Sequence, residues 1–514
     1  MVVVKRALLS CSDKTGLAEF AGGLAKLDVR LIASGGTASS LHRHGLSAQS
    51  VESFTGTGEQ LDGRVKTLHP RIYAGILARR DDPRHVAAAG DDGLIDLVVV
   101  NLYPFEETIR RDGVSLADVI EQIDIGGVSL LRAAAKNFQG VAVVSHPDQY
   151  TRVLDVLRRE HGRLPEDVSR ELAVAAFRLT SRYDELIGEY LGQSMHTDER
   201  MPAHLTLRAH LQQSLRYGEN PHQQAGWYVP ADRPVAGLAR LHQRQGKELS
   251  YNNLLDLDAA VRCVGEFTEP ACVIVKHAAP CGVACAPSSA EAYRLAFDGD
   301  QESAFGGIVA LNRPLDRATA EAMRSLFLEV VAAPAIEPDA LATLARKTNL
   351  RVLECPTWQP PADALAWRTV AGGWLVQDED RGGLAATELQ VPTKRAPTDD
   401  ELRDLRFAWQ VVKHIKSNAA VLAANRATVG IGQGQPSRVR AVRLAISNAG
   451  ERANGAVLAS DGFFPFPDSV NLAAQGGIRA IIQPGGSVKD SDVIAAADRA
   501  GIAMVLTGVR HFRH

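Results

Sequence analysis

The chain has 514 residues, of which 45% are hydrophobic and 23% are charged, and its formal net charge is -3. This length is enough for two to four domains at about 150 residues per domain. The nearly balanced charge excludes a general basic surface for nucleic acid or an anionic membrane, so any phosphate must be held locally. The first residues lack the pattern of a signal peptide, and no run of about 18 apolar residues predicts a membrane span.

Apolar strands alternate with helical patterns over the first 190 or so residues. The predicted strands are 2–10, 29–34, 96–105 and 141–146, and the predicted helices include 14–27, 35–45, 115–123 and 129–138. Nearly continuous apolar strands joined by crossover helices predict a doubly wound parallel sheet covered on both faces.

A polar stretch without periodicity follows this region, and it predicts a first domain over 1–195, a linker over 196–206 and a second domain over 207–514. Strands are predicted at 271–275, 306–311, 426–432, 455–460, 479–483 and 503–508, and helices at 400–415 and 491–500. A proline- and charge-rich stretch near 355–400 predicts that the second domain divides into two α/β subdomains.

Two predicted strand-to-helix turns have the residues of a phosphate site. They are SCSDKTG (10–16) and SGGT (34–37), which supply small hydroxyls, a lysine and glycines at helix starts, where backbone N–H groups attract anions. Serine and threonine are also ordinary helix caps, which is the alternative for either turn alone. The binding candidates are Ser12, Lys14, Ser34, Gly35, Gly36 and Thr37.

Three further segments of the first domain carry polar residues beside strands or at helix starts. GRVKTLHP contributes Arg64, Lys66 and Thr67, NLYPF contributes Asn101 and Tyr103, and IDIGGVSLLRAAAKN contributes Asp124, Gly126, Gly127 and Lys136. The structural alternatives are a solvated basic loop, a tyrosine with a satisfied hydroxyl and an aspartate that only caps a helix.

The segment IVKHAAPCG places Lys276 and His277 at the end of an apolar strand, and we expect a Pro-Cys-Gly turn directly after them. An ammonium beside an imidazole can move protons and stabilise negative charge. Cys281 and Cys285 resemble half of a zinc-deaminase signature, but their spacing is one residue too long and the His-x-Glu partner is missing. The six cysteines otherwise have no framework spacing, which fits a reduced cytoplasmic protein.

In their order, SDKTG, SGGT, GRVKTLHP, NLYPF and IDIGGVSLLRAAAKN resemble the IMP cyclohydrolase domain of the bifunctional purine biosynthesis enzymes. KHAAPCG, LRYGENPHQ, SAFGG, IKSNA and TGVRHFRH resemble the formyltransferase domain of the same family. The likeness covers the whole chain. It implies an amino-terminal fold like methylglyoxal synthase and a carboxyl-terminal domain of two α/β subdomains that resemble cytidine deaminase.

The resemblance implies formyl transfer from 10-formyltetrahydrofolate to AICAR, giving FAICAR, and then dehydrative closure of FAICAR to IMP. It also implies a cytoplasmic homodimer with transferase sites at the interface, no catalytic metal and room for a structural monovalent cation. The catalytic residues implied are Lys276, His277 and Asn418 for transfer, and Lys66, Tyr103, Asp124 and Lys136 for closure. Arg216, Tyr217, Phe305 and Gly306 match substrate-binding positions.

One position departs from the family pattern. Members usually carry serine or asparagine two residues after the histidine, where this chain has Ala279. The contact that such a side chain would make is therefore in doubt. Ala279 is also the sole support for an alternative, a nucleotide-binding regulatory homologue with impaired catalysis.

Overall fold

The computed structural model describes residues 1–90, 92–193, 201, 203–231, 235–356, 364–384 and 389–514. The chain forms two compact units, residues 1–204 and 205–514. Parts of the predicted linker and of the predicted division near 355–400 lie outside the described residues. Within the described part of the chain, no helix has the length and apolar character that crossing a membrane requires.

The amino-terminal unit is built on a five-stranded parallel sheet in the order β4-β3-β2-β5-β6. Its strands are β1 Val2–Val3, β2 Arg6–Cys11, β3 Arg30–Ala33, β4 Gln49–Ser50, β5 Leu97–Asn101, β6 Ala142–Val144 and β7 Arg163–Leu164. Its helices are α1 Leu17–Ala25, α2 Gly35–Arg43, α3 Val51–Thr55, α4 Pro70–Leu77, α5 Pro83–Ala89, α6 Phe105–Ile109, α7 Leu116–Glu121, α8 Ile125–Lys136, α9 Tyr150–Arg159 and α10 Glu166–Gln193. The predicted parallel α/β sheet is confirmed.

The strand order of this sheet fixes the position of its ligand crevice. From β2 the chain moves outward through β3 to β4, and it then returns to place β5 on the other side of β2. Ligands of open parallel sheets bind at such a switch point, outside the carboxyl ends of the strands. Both predicted phosphate turns and Asn101 lie at this edge. Strand β5 is shorter than the predicted 96–105, so Tyr103 follows the strand, next to a proline that cannot donate to a sheet.

The carboxyl-terminal unit contains one sheet of eleven strands in the order β10-β15-β14-β13-β11-β12-β19-β18-β20-β21-β22. The strands of the unit are β8 Ala209–Leu215, β9 Ala225–Pro230, β10 His242–Gln245, β11 Ala271–Lys276, β12 Ala279–Cys285, β13 Gly307–Leu311, β14 Leu328–Ala333, β15 Arg351–Glu354, β16 Leu365–Val370, β17 Gly373–Asp378, β18 Ala420–Ala424, β19 Ala427–Gly432, β20 Val457–Ser460, β21 Ala480–Gln483 and β22 Ala503–Leu506. Its helices are α11 Tyr251–Val264, α12 Ser289–Gly299, α13 Arg317–Ala322, α14 Pro338–Leu344, α15 Asp399–Val412, α16 Arg438–Ala449, α17 Asp468–Gln475 and α18 Asp490–Ala500.

The large sheet consists of two halves with the same topology. Each half begins with an antiparallel hairpin, β11–β12 or β18–β19, and three further strands follow. The first of the three pairs antiparallel with the hairpin, and the next two pairings are parallel. The halves meet where β12 pairs antiparallel with β19, with Ala284 opposite Ala427. On one face a shared apolar core packs under α11 and α15, whereas each half has its own core on the other face.

Candidate active sites

The two phosphate turns of the amino-terminal unit lie side by side at the carboxyl edge of the sheet. The Thr37 hydroxyl accepts the Cys11 N–H at 3.1 Å and lies 3.2 Å from the Cys11 carbonyl oxygen. The Ser34 and Ser10 hydroxyls are 3.1 Å apart. These bonds join the end of β2 to the start of α2. Ser34, Gly35, Gly36 and Thr37 form the first turn of this helix, and the turn faces the crevice.

Two lysines converge on this helix start. A side-chain carbon at Gly35 would lie only 3.0 Å from Lys66 Nζ, so the ammonium of Lys66 lies close to the start of α2. Burial lowers the pKa of Lys14, and the positive charge of Lys66 lowers it further. The carboxylate of Glu59 lies 3.2 Å from Lys66 Nζ. Two ammonium groups next to the N–H groups of α2 make a site for an anion.

The Asn101 side chain bonds the first phosphate turn (10–16) and contributes to the crevice through that turn. Its amide oxygen accepts the Asp13 N–H, and its amide nitrogen donates to the Asp13 carbonyl, both at 2.8 Å. The Ser12 N–H also donates to the backbone carbonyl of Asn101 at 3.4 Å. The side chain thus holds the loop that carries Ser12 and Lys14.

Asp124 and its neighbours form the other side of the crevice. The Asp124 carboxylate caps α8 by accepting the Gly127 N–H at 2.6 Å. Burial raises the pKa of this carboxyl, and the N–H groups of Gly127 and Tyr103 oppose the rise. A side-chain carbon at Gly126 would lie 2.8 Å from the Thr67 hydroxyl, so Thr67 packs against the same helix start.

Arg64 and Lys136 lie away from this cluster. Arg64 is exposed and pairs with Glu121 on α7. Lys136 is the last residue of α8, whereas Asp124 caps its first turn, so about 18 Å of helix separates them at about 1.5 Å per residue. Asn137 at that end bonds the Ile76 carbonyl at 2.7 Å, next to the far end of α4.

In the carboxyl-terminal unit, Lys276 ends β11 and His277 follows in an exposed turn. Lys276 Nζ donates to the carbonyl oxygens of Phe305 and Gly306 at 3.2 and 3.0 Å. Gly306 has a φ of 67°, a conformation that favours glycine, and a side-chain carbon there would lie 3.0 Å from Lys276 Nζ. The predicted binding residues Phe305 and Gly306 therefore hold the Lys276 ammonium in place through their carbonyl oxygens.

The expected turn at Pro280–Gly282 is wrong. Those residues lie in β12, and the turn consists of His277 and Ala278, with Lys276 opposite Ala279. The register shifts between Ile274 and Val275, and such a bulge tolerates a proline that lacks an N–H. Residues opposite each other in a hairpin share one face, so Ala279 presents its methyl group beside the stem of Lys276.

The zinc alternative fails on geometry as well. Cys281 and Cys285 both lie in β12 and are more than about 10 Å apart along the strand. Two thiolates on one zinc ion, each at about 2.3 Å, cannot be farther apart than about 5 Å.

Asn418 precedes β18, and the pairing of the two halves brings it to the edge that carries Lys276. Since β12 and β18 run in the same direction, both strands begin at one edge of the sheet. The Asn418 amide donates to the Gln435 carbonyl at 2.8 Å.

A buried ion pair that the sequence did not reveal holds the backbone on both sides of Asn418. Asp461 is fully buried, accepts the Ala419 N–H at 2.9 Å and pairs with Arg438. Its second oxygen accepts the Ser417 hydroxyl at 2.5 Å. Burial lowers the pKa of Arg438 to about 10. The one available signal is the polar sequence SDG (460–462) at the end of the apolar strand β20.

The remaining predicted binding residues, Arg216 and Tyr217, lie in the connection between β8 and β9. Arg216 and Tyr217 follow β8, and the Arg216 guanidinium lies 5.5 Å from the centre of the Tyr217 ring. Asn252, in the first turn of α11, donates to the Glu219 carbonyl at 3.4 Å and connects this loop to the helix beneath β11.

Two family models match the chain, an AICARFT/IMPCHase bienzyme over residues 134–448 and an MGS-like domain over residues 16–129. The bifunctional purine biosynthesis protein PurH of Cyanothece sp. is 53% identical over 99% of both chains. The protein of the same name from Bacillus cereus is 49% identical over 99% of this chain and 100% of its own. The chain belongs to this family. A crystal structure of ForH is 36% identical, covers 37% of this chain and 97% of its own, and has a TM-score of 0.34.

Membership in the family establishes the activity. The chain is a bifunctional enzyme that combines AICAR formyltransferase with IMP cyclohydrolase, the last two steps of IMP synthesis. A formyltransferase of this kind implies a folate co-substrate. The comparisons give no support to the alternative of a catalytically impaired regulatory homologue.

Replacing Asp461 with alanine tests the buried pair. The substitution leaves the Arg438 guanidinium buried without its partner, and we expect a loss of about 3–5 kcal/mol in the free energy of unfolding, measured by urea denaturation. Asp492→Ala is the control, because Asp492 pairs with Lys489 at 3.4 Å on the surface, and exposed pairs contribute at most about 1 kcal/mol. Equal losses in the two variants would contradict the role given to Asp461.

Proposed function

We propose that the carboxyl-terminal unit transfers the formyl group of 10-formyltetrahydrofolate to AICAR and that the amino-terminal unit closes FAICAR to IMP. The first assignment is supported by the strand pairing, which puts Lys276, His277 and Asn418 at one edge of the sheet. The crevice between Lys66 and Asp124 supports the second.

In formyl transfer the aromatic amine of AICAR is a weak nucleophile, because its lone pair is delocalised into the ring. As its nitrogen bonds to the formyl carbon, a base must take the amine proton and an acid must protonate the folate nitrogen that leaves. We assign both transfers to His277, since its imidazole is exposed at the turn. The proton that it accepts from the amine is thus the one that it delivers to the leaving nitrogen.

Lys276 and Asn418 are assigned to the oxyanion of the tetrahedral intermediate. A lysine ammonium has three donors, and two of those of Lys276 are used by the carbonyl oxygens of Phe305 and Gly306. The third can donate to the formyl oxygen. The Asn418 amide has two hydrogens, one of which bonds Gln435. Arg216 and Tyr217 are proposed to bind the ribotide.

In ring closure the carboxamide nitrogen of FAICAR attacks its own formyl carbon and water leaves, so positioning supplies much of the rate. Lys66 stabilises the oxyanion that forms. Asp124 and Tyr103, which lie beside each other, are proposed to relay protons in this step. The position of Lys136 at the far end of α8 argues against the role predicted for it.

The substrate's phosphate is proposed to bind at the start of α2. The hydroxyl, ammonium and N–H donors there come from Ser12, Lys14, Ser34, Gly35, Gly36 and Thr37. Thr67 lies on the other side of the crevice, at the start of α8, and Arg64 pairs with Glu121. A phosphate offers several acceptor oxygens and carries negative charge, which matches two converging lysines better than a neutral ligand would.

A cytoplasmic homodimer with its transferase sites at the interface remains our proposal for the assembly. The hairpin β16–β17 leaves Trp374 69% and Leu375 61% exposed, and an isolated two-stranded hairpin with such residues is marginally stable in water. Burial against a second copy of the chain would remove the exposed apolar surface of Trp374 and Leu375 from water. The six cysteines are free thiols, five of them buried, which favours a reducing compartment. The structural monovalent cation stays a prediction.

His277→Ala tests the assignment of formyl transfer. We expect the rate of transfer to fall about 100- to 10,000-fold, the usual range for a lost acid–base group, while supplied FAICAR is still closed to IMP at the normal rate. The two steps are followed separately by folate release and by IMP absorbance. His242→Ala, at an exposed histidine of β10, is the control and should retain both activities. Full transfer by the His277 variant would refute its role.

Two separate substitutions, Lys66→Ala and Lys136→Ala, test the ring-closure site. Lys66→Ala should lower the rate of FAICAR closure at least about 100-fold, because it removes a donor to the oxyanion, while formyl transfer continues. Lys136→Ala should change closure little, because that lysine lies at the other end of α8. Equal losses in the two variants, measured with supplied FAICAR, would place Lys136 in the site despite the distance.

A further inference from the structure

The turn that carries His277 has a backbone conformation that its residues do not favour. His277 and Ala278 have φ angles of 53° and 57°, and they form a two-residue connection between Lys276 and Ala279. Such a turn needs positive φ at both positions, and the residues that favour it are asparagine, aspartate and glycine. Left-handed backbone disfavours histidine and alanine, so other contacts must hold this turn in place.

The carboxylate of Asp256 makes those contacts. Asp256 lies in α11, which packs beneath β11 and β12, and its Oδ1 accepts the Ala278 N–H at 2.6 Å. The His277 N–H lies close enough to the carboxylate to lower its pKa. Burial raises the pKa of Asp256, and the N–H groups of Ala278 and His277 and the nearby charges of His277 and Lys276 oppose that rise. A partly buried carboxylate thus bonds the Ala278 N–H and lies near the His277 N–H.

The second half of the sheet repeats this arrangement without the lysine–histidine pair. Asn425 and Arg426 connect β18 to β19 with φ angles of 52° and 55°. The carboxylate of Asp404 in α15 accepts their N–H groups at 2.8 and 2.7 Å. Because Ala427 pairs with Ala284, this turn lies beside the end of β12, about 20 Å along the strand from His277.

We propose that Asp256 is a positioning residue for formyl transfer, whose carboxylate holds the His277–Ala278 turn in the left-handed conformation that presents the imidazole beside Lys276. This inference rests on the proposed role of His277. Asp404 supplies the matched control, because its carboxylate bonds the corresponding turn of the other half, which is remote from the reacting groups.

Asp256→Ala removes the carboxylate that bonds the Ala278 N–H, and the turn is then free to relax. A misplacement of about 1 Å costs a reaction about 100-fold in rate, so we expect kcat for formyl transfer to fall by about that factor. Closure of supplied FAICAR by the same sample should be unchanged. Asp404→Ala should keep formyl transfer within about twofold of the unmodified enzyme.

Ala278→Gly in the Asp256→Ala background separates positioning from a general loss of structure. Glycine adopts positive φ without steric cost, so we expect the double variant to recover at least about tenfold in kcat for transfer. A glycine substitution would not restore a unit that had lost its packing. If Asp256→Ala does not fold, Asp256→Asn serves in its place, since its amide keeps one acceptor, and the same glycine rescue is expected.

Three results would overturn the inference: full transfer by Asp256→Ala, an equal loss in Asp404→Ala, or no recovery with Ala278→Gly. His277→Ala, assayed beside them, distinguishes this failure from failure of the proposed function. An inactive His277 variant with an active Asp256 variant refutes the positioning role alone. An active His277 variant refutes the role of the imidazole, and the role of Asp256 fails with it.

Discussion

The antiparallel pairing of β12 with β19 is the constraint on which the carboxyl-terminal unit depends. It joins two halves of the same five-strand order, the first extended by β10, into one sheet, with Ala284 opposite Ala427. Because successive strands across this junction alternate in direction, the starts of β12 and β18 share an edge. Residues more than 140 positions apart in sequence, Lys276 and Asn418, therefore face the same edge of the sheet.

Carboxylates that bind backbone N–H groups then fix the local geometry. Asp124 accepts the Gly127 N–H, Asp256 accepts the Ala278 N–H, and Asp461 accepts the Ala419 N–H. Each bond orders a segment that carries or adjoins a residue assigned to catalysis. A bond between a charged acceptor and an N–H group contributes more than a neutral one, so a few acidic residues can order exposed reactive side chains.

The sequence was sufficient for the parallel sheet and for the grouping of both phosphate turns, because buried strands are continuous apolar runs and their ends meet at one edge. It was not sufficient for the turn at His277. Pro280 and Gly282 are typical turn residues, yet a bulge admits them to β12. The left-handed pair at His277 and Ala278 leaves no local signal, since its stabilising carboxylate comes from a helix.

Lys136 shows a second limit of sequence reasoning. Its motif includes Asp124, but α8 is unbroken from Ile125 to Lys136, so the rise of the helix separates the two ends. The hairpins β8–β9 and β16–β17 and the buried Asp461–Arg438 pair were also missed. Exposed two-stranded hairpins have weak apolar patterning, and an ion pair between distant residues has no spacing to detect.

The account's central claim is that the two reactions use separate residues on separate units. A mixture of the His277→Ala and Lys66→Ala proteins, supplied with AICAR and 10-formyltetrahydrofolate, tests it most directly. The account predicts that the mixture forms IMP, that the Lys66 variant alone accumulates FAICAR, and that the His277 variant alone forms neither product. IMP formation by either variant alone at the normal rate, or a mixture that forms none, would contradict it.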